Sequence, residues 1–399
     1  MHTTYQTVFR LKIFVFRLLQ VLGIFPLTFD SKRKRFYQSR WNLLMSIVQT
    51  IFVVFFLPIP YYILITMVYN ITSVLSNTMV ILELAINYLV LFSFCLKMLL
   101  ERGNVVEIFN LFAKIFFSVY SETDCIDENL LKKYLRKVIL VDYVLFPITF
   151  GMYIPFSIGM EFSYLASWIL NSYSVMFILM ISNLFQSTTI VTSILYQKLN
   201  SRVTAVVRTL HQLNEKELLG SRSHLTKAKI FYKMSSELNH LCYLHRMTTE
   251  AVEQMTRILS LPLMITTLFQ FFVVLTEAYY NYIYLMNSLL IQNASYGQAL
   301  SSTLFMLMCL LQFYYSIWFS AHMTKTAETT ALLLNEFFFC DVGPCVEQSI
   351  ETFTLEMLHR DYRVRLYDCF AVDFTLAYSA AATMTSYLIL LVQFGLMNY

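Results

Sequence analysis

The order of apolar and polar positions along the 399 residues shows seven long apolar runs separated by polar segments. A helix crosses the hydrocarbon core of a bilayer, about 30 Å thick, with about 20 residues, and every run reaches that length. Strands of a membrane barrel are shorter and alternate in polarity, so the pattern predicts an all-α membrane protein with seven transmembrane helices. The predicted spans are 41–64, 75–96, 138–158, 165–195, 258–282, 299–321 and 366–396.

The first 40 residues are predicted to be a cytosolic amphipathic segment. Residues 11–29 have the apolar character of a signal peptide, but Arg17 interrupts them and no small-residue cleavage site follows. A helix lying on the cytosolic membrane face, followed by a turn at 23–26, is the preferred interpretation. The basic run 32–35 suits anionic lipid headgroups, or serves only as an orientation signal.

Three further polar segments divide the rest of the chain. Residues 97–137 are expected to form a cytosolic loop within the block 41–195 that holds helices one to four. Residues 196–257 repeat leucine at helical spacing, so helices four and five are expected to continue there as a cytosolic helical extension. Helices five and six cover 258–321, a cytosolic anchor segment covers 322–365, and helix seven with a short outer tail covers 366–399. The repeated leucines are Leu210, Leu213, Leu218, Leu238, Leu241 and Leu244.

The 29 lysines and arginines predict the orientation of the chain. Eight lie in residues 1–40, seven in 97–137, ten in 196–257 and four in 322–365, while the three alternate loops hold none. Basic residues favour the cytosolic side of a membrane. The N-terminus is therefore expected in the cytosol, and seven crossings place the C-terminus outside the cell.

Two glycosylation sequons agree with this orientation. They begin at Asn70 and Asn293, and both fall in loops that the charge pattern assigns to the outside.

The overall composition also favours a membrane protein. The chain is 57% hydrophobic and only 14% charged, whereas soluble domains carry about 25% charged residues. It has 8 glycines and 7 prolines, so long uninterrupted helices are expected.

The orientation and the motif content argue against several classes of membrane protein. G-protein-coupled receptors have the N-terminus outside, and transporters usually have paired repeats with helices broken by glycine or proline. No catalytic motif is evident, so we expect no enzyme, no cofactor and no nucleic-acid partner. Cys340, Cys345 and His359 lack the spacing and the fourth ligand of a zinc site, so no metal is expected.

The seventh run differs from the other six in composition. Small and hydroxyl residues fill 379–386, and mostly apolar residues follow in 387–394. Small residues allow close helix approach in lipid, and hydroxyls deep in a helix favour a wet cavity. The pattern leaves open a pore-lining stripe closed by an apolar ring, or ordinary helix packing. The stripe comprises Thr383, Tyr387, Leu390, Phe394 and Met397, with Ser386 and Gln393 beside it.

Two aspartates precede this stripe. Asp368 and Asp373 could attract cations at the inner mouth of a pore. For Asp373, capping of the helix start is the preferred interpretation.

A short motif in the last run resembles the C-terminal signature of insect gustatory receptors. Ser386 and Tyr387 are followed by five apolar residues and then by Gln393 and Phe394. The family signature has threonine in place of Ser386, and serine keeps the hydroxyl.

Weaker similarity to the same family lies outside this motif. Residues 370–373 resemble the family's approach to its last helix, and residues 22–26 resemble an N-terminal pattern. The family usually has a glycine where this chain has Asp368 or Cys369. The predicted topology and the length of the chain fit the family throughout.

The resemblance implies a tetrameric, tastant-gated, non-selective cation channel related to insect odorant receptors. In such a homo- or hetero-tetramer, helix seven of each subunit would line a central pore. Gln393 and Phe394 would form its outer constriction, with Leu390 one turn below. The pore and gate residues implied are Thr383, Ser386, Tyr387, Leu390, Gln393 and Phe394.

A tastant pocket is expected among the outer halves of helices two to six. Polar and aromatic residues could hold a sugar, whereas methionine and phenylalanine would suit a bitter compound, which is the default expectation. The expected location is the plasma membrane of a sensory neuron. A metabotropic receptor or a transporter remains the alternative. The pocket candidates are Glu83, Tyr153, Trp168, Asn171, Gln270, Glu277, Thr303 and Met306.

Overall fold

A computed structural model describes residues 27–30, 32–69, 74–120, 128–157, 162–218, 224–291, 296–339 and 343–397. Helices dominate the described residues, together with two short antiparallel β-hairpins. The N-terminal half contains β1 (Leu27–Asp30), β2 (Arg35–Gln38), α1 (Arg40–Ile51), α2 (Pro58–Tyr69), α3 (Val74–Leu100), α4 (Arg102–Val119), α5 (Glu128–Lys137) and α6 (Phe146–Ser157). The C-terminal half contains α7 (Phe162–Leu218), α8 (His224–Ile291), α9 (Tyr296–Asn335), α10 (Pro344–Leu358), β3 (Arg365–Leu366), β4 (Phe370–Ala371) and α11 (Phe374–Met397).

The predicted membrane spans fall on helices. Among the described residues, six helical segments are long and apolar enough to cross a membrane, and they coincide with six of the seven runs. The third run, 138–158, is the remaining one, and it lies on a helical stretch in which the π-helix Val138–Leu145 joins α5 to α6. The predicted all-α architecture is confirmed. The six segments are Arg40–Thr66, Asn77–Leu100, Leu165–Leu213, Lys227–Met286, Ala299–Asn335 and Phe374–Gln393.

Two very long helices organise the molecule. Helix α7 has 57 residues and α8 has 68, so at 1.5 Å per residue they are about 86 Å and about 102 Å long. Both lengths far exceed a bilayer core, and the two helices cover 196–218 and 224–257 of the predicted extension. Four of its leucines are buried and Leu213 is partly buried against the same core, while the side chain of Leu218 lies outside the described part. The buried leucines are Leu210, Leu238, Leu241 and Leu244.

The bundle packs mainly through α7, α8 and α9. Helix α9 runs beside both α7 and α8, and α3 lies in the space between α7 and α8. One large apolar cluster follows these contacts and includes Phe94 with Phe177, whose ring centroids are 5.8 Å apart in an edge-on arrangement. Apolar packing between the long helices therefore holds the bundle together.

The described parts of the segment 97–137 are mainly helical. It contains α4 and α5, and α4 presents a buried face formed by residues such as Val105, Ile108 and Ile115. These positions are three and seven residues apart, which is helical spacing. A loop was expected here, but residues 102–119 and 128–137 are helical, because the apolar positions of α4 repeat at helical spacing between its charged residues.

The N-terminal segment contains a hairpin that the sequence did not predict. Strands β1 and β2 pair from Leu27 with Gln38 to Asp30 with Arg35, so the basic run forms the turn. The side chain of Asn110 on α4 bonds the backbone of Phe36 in both directions, at 2.7 Å and 3.0 Å. The predicted amphipathic helix and the turn at 23–26 lie outside the described residues.

The last helix begins later than predicted. Residues 365–371 form the hairpin of β3 and β4, and α11 starts at Phe374 instead of 366. A tight turn at Tyr367 and Asp368 delays the start of the helix, because the backbone there has positive φ angles of 49° and 56°. Asp373 accepts hydrogen bonds from the backbone N–H groups of Thr375 and Leu376, at 2.9 Å and 3.4 Å. Its predicted capping role is confirmed.

Candidate pore helix and ligand-binding region

Helix α11 is the least buried of the apolar helices. Its most apolar 18-residue window contains no buried residue, whereas 22% to 61% of the corresponding windows in the other five segments are buried. A largely apolar helix that its own chain covers only in part must meet lipid or another protein chain. The single chain thus leaves a large apolar surface on the helix that carries the C-terminal motif.

One stripe of α11 faces the bundle formed by the other helices of the chain. Ala377 and Met384 pack against the apolar core, and Ala380, Leu388 and Leu391 are also partly covered. These positions follow the three- and four-residue spacing of one helix face. The chain therefore holds α11 along a narrow line of contact.

The predicted pore stripe is turned away from that line. At 100° per residue, its direction differs from the bundle-facing stripe by about 100°. Thr383, Ser386 and Gln393 are exposed, Tyr387 is 52% exposed and Leu390 is 45% exposed. The side chain of Phe394 lies outside the described part of the chain.

The hydroxyl groups of the stripe are satisfied within the helix. Thr383 donates to the carbonyl of Ser379 at 2.8 Å, and Ser386 donates to the carbonyl of Ala382 at 3.1 Å. Such bonds allow hydroxyls to face lipid or water at low cost. Tyr387 also reaches back to α8, where its ring lies edge-on to Phe271 with a centroid distance of 6.5 Å.

The structure brings several predicted ligand residues into two polar contacts between helices. Asn87 on α3 donates its side-chain amide to Asn171 on α7 at 3.2 Å. Glu277 on α8 accepts a short hydrogen bond from the hydroxyl of Ser302 on α9. The carboxyl of Glu83 lies near enough to Glu277 for the two to interact electrostatically. Three predicted candidates, Glu83, Asn171 and Glu277, therefore lie with Asn87 and Ser302 in one region between α3, α7, α8 and α9, which we call the acidic region.

Asn87 and Ser302 were not predicted from the sequence. Both are buried polar residues on helices that carry a predicted candidate, and Asn87 lies one turn after Glu83. That helical spacing was the available signal. It could not be used without knowing which face of α3 points inward.

The remaining candidates are dispersed. Trp168 and Met306 are partly buried against the apolar core, and Thr303 is exposed and donates to Asn281 at 3.2 Å. Gln270 is buried, but it lies two turns before Glu277 and lines a different space. The side chain of Tyr153 lies outside the described residues, as do both sequons.

Gln270 lines a cavity of about 480 Å³ between α8, α9 and α11, which we call the pore-helix cavity. Its walls are mainly apolar, and α11 contributes one of them. The lining residues are Met264, Ile265, Thr267, Leu268, Gln270, Phe271, Val274, Leu310, Phe313, Phe370, Leu376, Ser379, Ala380, Thr383 and Met384.

Comparison with protein families identifies the class of this chain. A family model described as 7tm chemosensory receptor matches residues 13–398. The chain belongs to this family of multi-pass membrane receptors, which are chemoreceptors and not enzymes. The resemblance to the insect gustatory and odorant receptor group is confirmed at the level of the family.

Solved structures show the same fold. The insect olfactory receptor OR5 from Machilis hrabei has a TM-score of 0.57 at 12% sequence identity, covering 97% of this chain and 99% of that chain. The structure of the same receptor in complex with eugenol has a TM-score of 0.53, with the same identity and coverage. No curated protein sequence matches this chain.

Proposed function

We propose that this chain is a gustatory receptor that forms a tastant-gated, non-selective cation channel in the plasma membrane of taste neurons. The single observation that carries the proposal is the uncovered α11, which bears the motif from Ser386 to Phe394. Four copies of this helix around an axis would enclose an ion path. The N-terminus would lie in the cytosol and the C-terminus outside, as the basic residues indicate.

The proposed gate lies at the outer end of α11. Phe394 and Leu390 supply apolar rings, which exclude hydrated ions when the four helices are close. Gln393 supplies a polar ring beside them. Movement of the outer ends of α11 away from the axis would open the path.

The acidic region supports a ligand site linked to this gate. Among the described residues, Glu83 and Glu277 have no basic partner, and the predicted outer loops contain no lysine or arginine. An unpaired acid inside a membrane span favours a polar cavity or a cationic guest. The side-chain oxygen of Asn87 is buried without a partner and could accept a further hydrogen bond.

These groups support a bitter tastant that carries a protonated amine. The amine would pair with the carboxyl of Glu277 or Glu83, and the apolar body of the ligand would pack on the surrounding side chains. The structure of OR5 in complex with eugenol is consistent with the proposal of a small-molecule ligand. Helix α8 links this region to α11 through the contact between Phe271 and Tyr387.

A gate substitution tests the proposal. Phe394→Ala should raise the resting cation current several-fold, because four alanine side chains leave a wider constriction that stays filled with water. Currents are recorded from purified protein in planar bilayers, with surface expression checked in cells. Tyr378→Ala is the matched control, since Tyr378 is 79% exposed on another face of α11. An unchanged current in Phe394→Ala, with normal assembly, would remove Phe394 from the gate.

A further inference from the structure

The pore-helix cavity has the size and the lining of a small-molecule site. Its volume of about 480 Å³ falls within the range of roughly 300–1,000 Å³ that ligand pockets occupy. None of its lining residues carries a charge. It lies beside the middle and the hairpin end of α11, and none of its lining residues belongs to the acidic region.

One polar side chain in this cavity lacks a partner. Gln270 is 6% exposed and forms no hydrogen bond with the described residues. The other polar groups differ: Thr267 donates to the carbonyl of Leu263 at 2.9 Å, and Thr383 donates within α11. A buried amide without a partner is costly, and a ligand that bonds it recovers that cost.

A smaller pocket next to the cavity repeats this feature. It shares Gln270 with the cavity, and Thr266 lies in its wall. Thr266 is 2% exposed, and its hydroxyl has no hydrogen-bond partner. Two polar groups without a partner among the described residues, Gln270 and Thr266, therefore lie in the wall of the adjoining smaller pocket, and Gln270 also lines the cavity.

We propose that the pore-helix cavity binds an uncharged, mainly apolar molecule with a single hydrogen-bonding group, which enters from the bilayer. The apolar body fills the space between α8, α9 and α11, and the polar group pairs with the amide of Gln270. A charged molecule is disfavoured because the lining has no countercharge.

Occupancy of this site would act on the proposed pore helix. Leu376, Ala380 and Met384 of α11 form one wall, so a molecule in the cavity contacts α11 on its bundle-facing stripe. Binding favours the position of α11 in which the cavity exists, and a ligand shifts a conformational equilibrium by its difference in affinity for the two states. The site is thus suited to a modulator that is distinct from the tastant.

Photolabelling tests the site without any need for channel activity. The purified full-length protein in lipid nanodiscs is irradiated with 3-azioctanol, a photoreactive alcohol, and the adducts are mapped by mass spectrometry. Adducts should concentrate on residues 264–274 and 376–384, and unlabelled 1-octanol should compete with them. The proposal would be overturned by adducts that spread over the lipid-facing helices without competition. It would also be overturned if residues 264–274 carried no adducts because a neighbouring subunit covers them.

A substitution at Gln270 separates a true site from apolar partitioning. Gln270→Leu should weaken competition by 1-octanol about three- to tenfold, because one hydrogen bond is lost. Competition by n-octane, which lacks the hydroxyl, should not weaken. Equal behaviour of the two competitors in the variant would contradict the assigned role of Gln270.

A second variant fills the cavity. Ala380→Trp should reduce specific labelling at 264–274 by at least several-fold, because the indole occupies the space. Leu307→Trp is the matched control, since Leu307 is 41% exposed on α9 and does not line the cavity. Equal labelling in both variants would show that the molecule binds elsewhere. Labelling is measured as an adduct, whereas the channel proposal is measured as a current. Failure of the binding-site proposal is therefore distinguishable from failure of the channel proposal.

Discussion

A buried charged group stands out at the scale of single residues. Lys137, at the end of α5, is fully buried beside Asp142 in the π-helical stretch, with 3.5 Å between the ammonium and the carboxyl. Asn183 on α7 joins them, since it accepts a short bond from Lys137 and donates to Asp142 at 2.8 Å. Each charge has a partner, so the group can remain buried and can tie the third predicted span to the fourth.

Removal of one charge from this group should destabilise the protein strongly. Lys137→Met leaves Asp142 buried without its countercharge, so the free energy of unfolding should fall by about 3–5 kcal/mol. Urea unfolding in detergent measures the change. The double variant Lys137→Met/Asp142→Leu should be more stable than the single variant. A single variant as stable as the parent would show that the ion pair has no structural role.

The turn before α11 carries backbone strain at Tyr367. Its φ of 49° is in the left-handed region, which costs roughly 1–2 kcal/mol for an ordinary residue, while glycine recovers this at an entropic cost of about 0.5–1 kcal/mol. Tyr367→Gly should therefore raise the free energy of unfolding by about 0.5 kcal/mol, and Tyr367→Val should lower it. Thermal denaturation in detergent compares the variants. A loss of stability in Tyr367→Gly would mean that the side chain contributes more than the strain costs.

At the scale of elements, the long helices follow from local sequence patterns. Apolar periodicity continues from the fourth span past residue 196, and no proline or glycine occurs before Gly220, so one helix over that boundary was predictable. The hairpins were not predictable in the same way. The turn of β3 and β4 uses Tyr367 and Asp368 at positions where glycine is the usual signal. Without that signal, the apolar run was extended too far toward its start.

The contact of α10 with α8 depends on a glycine. A Cβ atom on Gly343 would lie 2.7 Å from Cδ2 of Phe231, closer than real side chains approach. Gly343→Ala should therefore lower the free energy of unfolding by about 1–2 kcal/mol through overpacking. Gly103→Ala is the matched control, because nothing lies within 4 Å of its Cβ position and alanine favours the helix. Equal effects in the two variants would contradict the assigned contact.

The candidate site was predictable to different degrees. The stripe on α11 was visible because one helix carries all of its residues, and helical geometry alone groups them. The acidic region combines α3, α7, α8 and α9, so its assembly depends on how distant segments pack. Periodicity placed Gln270 and Glu277 on one face, but it could not show that Gln270 lies in a cavity beside α11.

At the scale of the whole molecule, α11 differs from the other apolar helical segments. Five of these segments contain fully buried residues in their most apolar window, whereas the corresponding window of α11 contains none. Subunits that surround an axis with α11 would cover this helix and place its polar residues in a wet path. The basic residues, all on one predicted side, would set the direction of such a path through the membrane.

The most direct test of this account is cysteine accessibility along α11. Single cysteines replace Thr383 and Leu390 on the predicted pore stripe, or Ala377 and Met384 on the bundle-facing stripe, in a Phe394→Ala background without other exposed cysteines. A cationic methanethiosulfonate reagent is applied while the leak current is recorded in planar bilayers. The account predicts that the reagent reduces the current at Thr383→Cys and Leu390→Cys, and leaves it unchanged at the other two positions. Equal modification of both stripes, or no cation current from any of these proteins, would contradict it.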